Sequence, residues 1–330
     1  ALNGGVDPMD GIYKAGPVAL KKAQDLHTFD ELLEQYHRLL QYYFDLSVSC
    51  QMHSYEVMNR EVSFLFTSIL MDDCIDRGKA LLDGGVRILG GTNETYGNIN
   101  ASDALLAIRK LVYEEGRYTL SQLNDAANQD FIGQEALRHD LLNVAKYGND
   151  DAECDTLAND LFEFVAKGIR DEGIRHGMGY YLIVISNNQT NTDWGLHTAA
   201  SLDGRRKGVY MNPANNPQGG AAKSGPTACL NSLSRFQAKY HGGSVQNMRF
   251  TPRLMHEDKE KVKAMFRTYF DKGGCQLMVT VVDRGQLEDA QIHPEKYPDL
   301  IVRVAGYSAR FIDLPSTVQA ELISRTLYDA

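Results

Sequence analysis

Apolar residues recur with helical spacing through the early part of the chain. Phe29, Leu32, Leu33, Tyr36, Leu39, Leu40 and Tyr43 fall on one face, and a second apolar stretch of roughly helical spacing runs over residues 57–75. Both predict long packed helices. The segment "GGVRILGGTNETYGNINASDALLAI" then changes the pattern: a Gly-rich loop with polar inserts leads into a helix that Asn100 or Ser102 is placed to cap. Thr119 with Gln122 forms a capping-box pattern, and residues 149–151 stand where a helix through Ile169 should begin. Strands come later. Residues 178–186, 244–250 and 275–283 are short β-rich runs separated by helical stretches, an α/β arrangement, and the last follows a helix over 256–271 closed by Gly273. A further β-branched run over 300–305 predicts a buried strand. Tyr307 and Phe311 suit its continuation, yet Gly306 interrupts it.

Between residues 187 and 224 lies a stretch rich in Asn, Gly and Pro, too long for a bare linker inside a compact fold. It predicts an ordered loop near a functional surface. Neither an internal repeat nor a clear domain boundary is visible.

Composition narrows the function. With 330 residues, 43% apolar content and 23% charge, the chain reads as a soluble globular protein able to bury a large core. Its net charge of −9 argues against nucleic acid, which needs a basic face; the densest basic cluster is only Arg205, Arg206 and Lys207. No apolar run approaches bilayer-spanning length and the start shows no signal-peptide pattern, so no membrane role is expected. The opening "ALNGGVDPMDG" without an initiator Met reads as part of a longer chain. The five cysteines, Cys50, Cys74, Cys154, Cys229 and Cys275, are scattered without CxxC spacing, which fits a reducing cytoplasm and suggests neither disulfides nor a zinc site.

Common catalytic signatures are absent: no HExxH, P-loop or GxSxG, and "GGVRILGG" lacks the context of a dinucleotide site. His176, His197, His241, His256 and His293 show no ligand spacing and read as surface or satisfied core residues. On local physics "YGNDD" is a loop with a helix cap, and "LDGRRKG" a turn with a solvated basic tip. Gly306 admits two readings. One is a tight turn or bulge, since glycine adopts positive φ without strain. The other is chemical: with no side chain on its Cα, loss of a hydrogen leaves a planar carbon radical delocalised between the adjacent amide nitrogen and carbonyl.

The stretch "RVAGYSARF" closely resembles the C-terminal signature of the glycyl radical enzymes, the pyruvate formate-lyase and glycerol dehydratase superfamily. "GGVRILGG", "NINASDALLAIRKLVYEEG", "YGNDD", "DGRRKG", "SGPTACLNSLSRF" and "HPEKYPDLIVRVAGYSARF" resemble family blocks in family order. The resemblance implies the C-terminal part of a ten-stranded α/β barrel, made of two antiparallel five-stranded half-barrels with outer helices and a glycyl radical loop. On that reading residues 1–330 are the C-terminal portion of one barrel domain, about 1–200 mainly helical with part of the barrel and about 200–330 the glycyl radical domain.

Gly306 is the implied radical residue, and Arg303, Val304, Ala305, Tyr307 and Ser308 shape its loop. No cofactor is bound; a partner activating enzyme using S-adenosylmethionine and an iron–sulfur cluster would install the protein glycyl radical, and a cysteine thiyl would then abstract hydrogen from a small-molecule substrate for dehydration or C–C or C–X cleavage. The family's relay cysteine, on a GCxE-like stretch, is missing from these residues and expected before Ala1. The fragment alone would be inactive, and a homodimer is left open. Cys275 reads instead as core filling on a buried strand. "CQ" at 275–276 and "NPANNPQGG" differ from pyruvate formate-lyase and the diol dehydratases, so the implied activity is a dehydratase or lyase of unassigned substrate, with formate acetyltransferase-like chemistry the family's other pole. Two alternatives stand beside it: a non-catalytic, spare-part-like radical carrier, and a structural α/β binding domain.

Overall fold

A computed structural model of the chain describes residues 1–185, 190–304, 307–325, 327 and 328. Thr28 accepts the Glu31 N–H and opens α1 (Phe29–Glu61), which buries Leu32, Phe44 and Val48. The helix expected over 57–75 is broken. Ser63 and Phe64 both take left-handed φ, 61° and 46°, so the chain continues as two short pieces, α2 (Leu65–Ile69) and α3 (Cys74–Arg77). Nor is the stretch packed: Leu65, Phe66, Leu70 and Ile75 are each about 70% exposed or more. Helical spacing of apolar residues reads the same whether the face meets a core or lies open.

The glycine-rich segment holds a strand, β1 (Gly90–Glu94), where a loop is expected. A Cβ at Gly90 would lie 2.3 Å from the Tyr180 ring, so glycine here allows the close approach of β1 to its neighbour. Next comes α4 (Asn98–Ile108), preceded by Gly97 at φ 76°. Asn100 and Ser102 therefore do not cap it; both are buried within it. Asn100 is a cross-link instead, donating to Asp203 Oδ2 and Gln218 Oε1 and accepting the Asn212 N–H. The capping box forms as expected at the start of α5 (Leu120–Asn128). After α6 (Glu135–Asn143), Asp151 accepts the Glu153 and Cys154 N–H groups and opens α7 (Ala152–Arg175), which runs beyond Ile169.

Along α7 a buried face including Leu161, Phe162, Val165 and Ile169 lies against β2 (Tyr180–Ile185). There follow α8 (Thr190–Leu196), α9 (Gly225–Leu233), β3 (His241–Ser244), β4 (Asn247–Phe250), α10 (Pro252–Glu257) and α11 (Lys259–Asp271). The single helix expected over 256–271 is thus two, parted at Asp258, and Gly273 follows at φ 102°. The chain ends with β5 (Met278–Val281), α12 (Arg284–Ile292), β6 (Ile301–Arg303), β7 (Ser308–Arg310) and α13 (Ser316–Ser324).

β1, β2 and β3 form a parallel sheet in that order, with Thr92 opposite Leu182, and β4 pairs with β5 in parallel, Met248 opposite Val279. These five parallel strands thus lie in two separate sheets, one of three strands and one of two. The outer helices and parallel pairing make an α/β architecture. Most buried side chains belong to one cluster centred on α1, α4, α7, β2 and β4; Val282, Leu287, Ala290, Val302, Val304, Phe311, Val318 and Leu322 form a second.

The long polar loop is ordered over 190–224, its positions 187–189 lying outside the described residues. Its basic turn is not a solvated tip. Arg205 is 5% exposed and donates to Ser201 Oγ and to the carbonyls of Ala199, Arg206 and Val209. Asp203 drives this inversion by accepting the Ser201 hydroxyl and the Arg205 N–H, which folds the turn inward. Among the described residues no helix is long and apolar enough to cross a membrane.

Candidate functional site

Strands β6 and β7 make an antiparallel hairpin with Ile301 opposite Arg310, Val302 opposite Ala309 and Arg303 opposite Ser308. One further bond continues the ladder, from the Val304 N–H to the Tyr307 carbonyl at 3.1 Å. Ala305 and Gly306, the expected loop residue and radical residue, connect these positions and lie outside the described residues.

The flanking side chains divide by period two. Val302 and Val304 are 3% and 1% exposed and point into the second apolar cluster against α12 and α13. Between them Arg303 points the other way, and its Nη1 donates across the hairpin to Ser308 Oγ at 3.3 Å. Tyr307 is 41% exposed, and Ser308 is exposed as well. The run over 300–305 is therefore not a wholly buried strand: Ile301 is open, because a two-stranded ribbon covers only one face. Behind the hairpin, Phe311 N–H bonds Leu300 O, and Gln319 Nε2 donates to the Phe311 and Leu314 carbonyls, tying the base of β7 to α13.

A buried clasp joins this unit to the sheet. Arg249 on β4 is 4% exposed and donates from Nη1 to the carbonyls of Leu322 and Arg325, at the end of α13. Arg325 in turn forms a two-pronged pair with Glu321 at 3.0 and 2.9 Å, both residues buried. Burial, with Arg325 beside it, lowers Arg249 to about 10. Tyr328 completes the seam by exchanging backbone bonds with Arg249 and Thr251 along β4.

Cys275 is exposed and lies three residues before β5, so it is not core filling on a buried strand. The expected strand begins late because the chain first turns through Gly273, whose N–H bonds Phe270 O. Cys154 and Cys229 are buried, and burial raises both thiols, Cys229 to about 11. Among the histidines, His241 stacks on Phe162 at 4.3 Å and is lowered to about 4 by burial, a neutral core residue.

His176 joins Asp45 and Glu172 in a group whose ligand atoms lie within 4.8 Å, an arrangement its sequence spacing did not single out. Arg175 bonds both carboxylates and Gln41 donates to Glu172, so a guanidinium already serves as the cation there. The buried Arg249–Glu321–Arg325 clasp was likewise not legible in advance. Its only sequence sign is the Glu-to-Arg spacing of four on a helix.

A family described as Pyruvate formate lyase-like matches residues 1–190, and one described as Glycine radical matches residues 211–312. "Probable dehydratase YbiW" of Escherichia coli is 32% identical over 99% of this chain and 42% of its own length. Trans-4-hydroxy-L-proline dehydratase of Clostridioides difficile is 29% identical over 98% of this chain and 41% of its own length. The solved structure of the glycerol-bound B12-independent glycerol dehydratase from Clostridium butyricum superposes with a TM-score of 0.92 at 30% identity, covering 100% of this chain and 42% of that one. The chain thus spans about 42% of the length of these relatives. With family matches over residues 1–190 and 211–312 and a relative 32% identical over 99% of this chain, the chain belongs to the glycyl radical enzyme family.

Proposed function

We propose that the protein is a glycyl radical enzyme of the dehydratase or lyase kind, storing its unpaired electron on Gly306. The observation that carries this is the match of residues 211–312, which include Gly306 in sequence, to the family described as Glycine radical; the β6–β7 ladder, closed by the Val304 N–H to Tyr307 O bond, flanks that position. An activating enzyme using S-adenosylmethionine and an iron–sulfur cluster would remove one hydrogen atom from the Gly306 Cα. The chain's own residues then have three tasks. Val302 and Val304 anchor the hairpin in apolar surroundings, the Arg303–Ser308 contact sets its register, and the Arg249 clasp ties α13 to the sheet. A cysteine outside these 330 residues would relay the radical to substrate as a thiyl. On this reading the relay would lie in the part of the relatives' length this chain does not span. The exposed apolar side chains of Leu65, Phe66, Leu70 and Ile75 favour such a larger assembly, since patches of this kind mark surfaces that meet further protein.

Relatives named as acting on trans-4-hydroxy-L-proline, sulfopropanediol and isethionate bracket the chemistry as removal of a group from a small polar molecule. We place the protein in the cytoplasm, where an oxygen-sensitive backbone radical and unpaired thiols are best preserved. A spare-part-like carrier accounts less well for the match over residues 1–190, and a structural binding domain leaves the glycine-radical match unexplained.

The test is anaerobic treatment of the full-length protein with its activating enzyme. A doublet electron paramagnetic resonance signal is expected, because one α-hydrogen remains on Gly306 to split the line. Gly306→Ala should abolish the signal and turnover while the protein stays folded. A doublet or turnover that survives in that variant would sink the proposal.

A further inference from the structure

The loop over 201–224, α4, α6 and the start of α7 enclose a cavity of about 760 Å³, within the size range of small-metabolite sites. None of its lining residues belongs to β1–β5 or to the β6–β7 hairpin. It is therefore separate from the site described above.

Its floor is acidic and buried, with Asp103 2% and Asp203 4% exposed. The Asp203 oxygens are committed: Oδ1 accepts from Ser201 and from the Arg205 N–H, and Oδ2 from Asn100. Asp103 is different. Its Oδ1 accepts the Tyr147 N–H at 2.9 Å, but Oδ2 has no partner among the described residues. A buried oxygen left unmatched is costly and requires an explanation. Lys146 stands beside it, half-buried, with Nζ donating to Leu141 O at 2.7 Å. Burial raises Asp103 to about 7, so near neutrality this carboxyl can both donate to and accept from a hydroxyl.

The wall and rim carry both signs: Asp150 is paired with Arg235 and Asp151 caps α7, while the basic side chains are only partly engaged. Arg138 donates Nε to Gly204 O, and its two terminal nitrogens have no partner among the described residues. Arg206 uses Nη1 on the Asp130 carbonyl, with the Asp130 carboxylate 3.7 Å from the same nitrogen, leaving Nη2. Lys223, exposed at the rim, has no side-chain partner among the described residues. Basic donors at the rim and an unmatched carboxyl at the floor suit opposite ends of one molecule.

We propose that this cavity is a second ligand site, taking a small hydroxylated metabolite that carries an oxyanion. The oxyanion would sit on Arg138, Arg206 and Lys223, and a hydroxyl would meet Asp103 on the floor, its Oδ2, closed to water in this structure, turning toward the ligand. Phosphate and carboxylate share this chemistry, so glycerol 3-phosphate and glycerate serve as probes, with inorganic phosphate as the reference. Calorimetric titration of the unactivated full-length protein should show one saturable site, with at least one organic probe binding about ten-fold tighter than inorganic phosphate. The double variant Arg138→Gln, Lys223→Gln should weaken that binding about ten-fold or more, and Asp103→Asn should remove the advantage over inorganic phosphate. If Asp103→Asn does not fold, the rim variant, whose side chains are at least partly exposed, decides the question. Absence of saturable binding by both organic probes, equal affinity for inorganic phosphate, or binding indifferent to the rim variant would each overturn the proposal.

Discussion

Asp103 shows how much a single residue can depend on its surroundings. Desolvation, helped by the Asp203 carboxylate, raises its carboxyl to about 7, while Lys146 and the Tyr147 N–H pull the other way without winning. A folded-state value above the ordinary 3.8 means that its stabilising contribution is complete below that value and is lost as pH rises toward 7. Asp103→Asn keeps the neutral form at every pH. The variant should therefore gain on the wild type progressively between about pH 4 and 7, read as diverging urea midpoints; parallel curves would show that the burial term is not expressed. Nothing near Asp103 in the chain announces this, because its partners Lys146 and Asp203 are far away in sequence. Arg205 misled for the same reason: "DGRR" looks like a surface turn until Asp203 folds it inward. Gly306 could be singled out from sequence because its proposed chemistry needs only the absence of a side chain within a distinctive run of neighbours.

At the scale of elements, caps were readable where both partners are local. Thr119 and Gln122 lie three residues apart, and Asp151 sits immediately before the helix it opens. Asp151→Ala removes the acceptor for two N–H groups of α7 and should cost about 1 kcal/mol, whereas Asp151→Ser should recover most of it. Chemical denaturation of the three proteins checks the order; equal stability of the Ala variant and wild type would contradict it. Asn100 was misassigned because the same side chain that caps a helix can bridge to another segment, and only the tertiary fold chooses. The break at Ser63 and Phe64 carries no glycine or proline, so the propensity of the residues gave no warning of it.

Across the whole molecule, some strands were readable but β1 and β3 were not, nor was strand extent. β2, β4 and β5 fall inside the expected runs, while β1 hid among glycines because its sequence, GGTNE, has almost no β-propensity and is held by the close approach of Tyr180. The division of the buried side chains into two clusters could not be read either, since each is assembled from distant segments. That division bears on how the chain opens. The second cluster, bounded by α12, the β6–β7 hairpin and α13, meets the first at the Arg249 clasp, the Tyr328 seam and the Val282 N–H to Phe250 O bond, and is expected to open as a separate cooperative unit, or foldon, of lesser depth. In native-state amide hydrogen exchange, the protons of α12 and α13 should be released together at a lower free energy than those of α7 and β2. Arg249→Met should lower that first step while leaving the second in place; a single shared step would mean that the clasp fuses the two units into one.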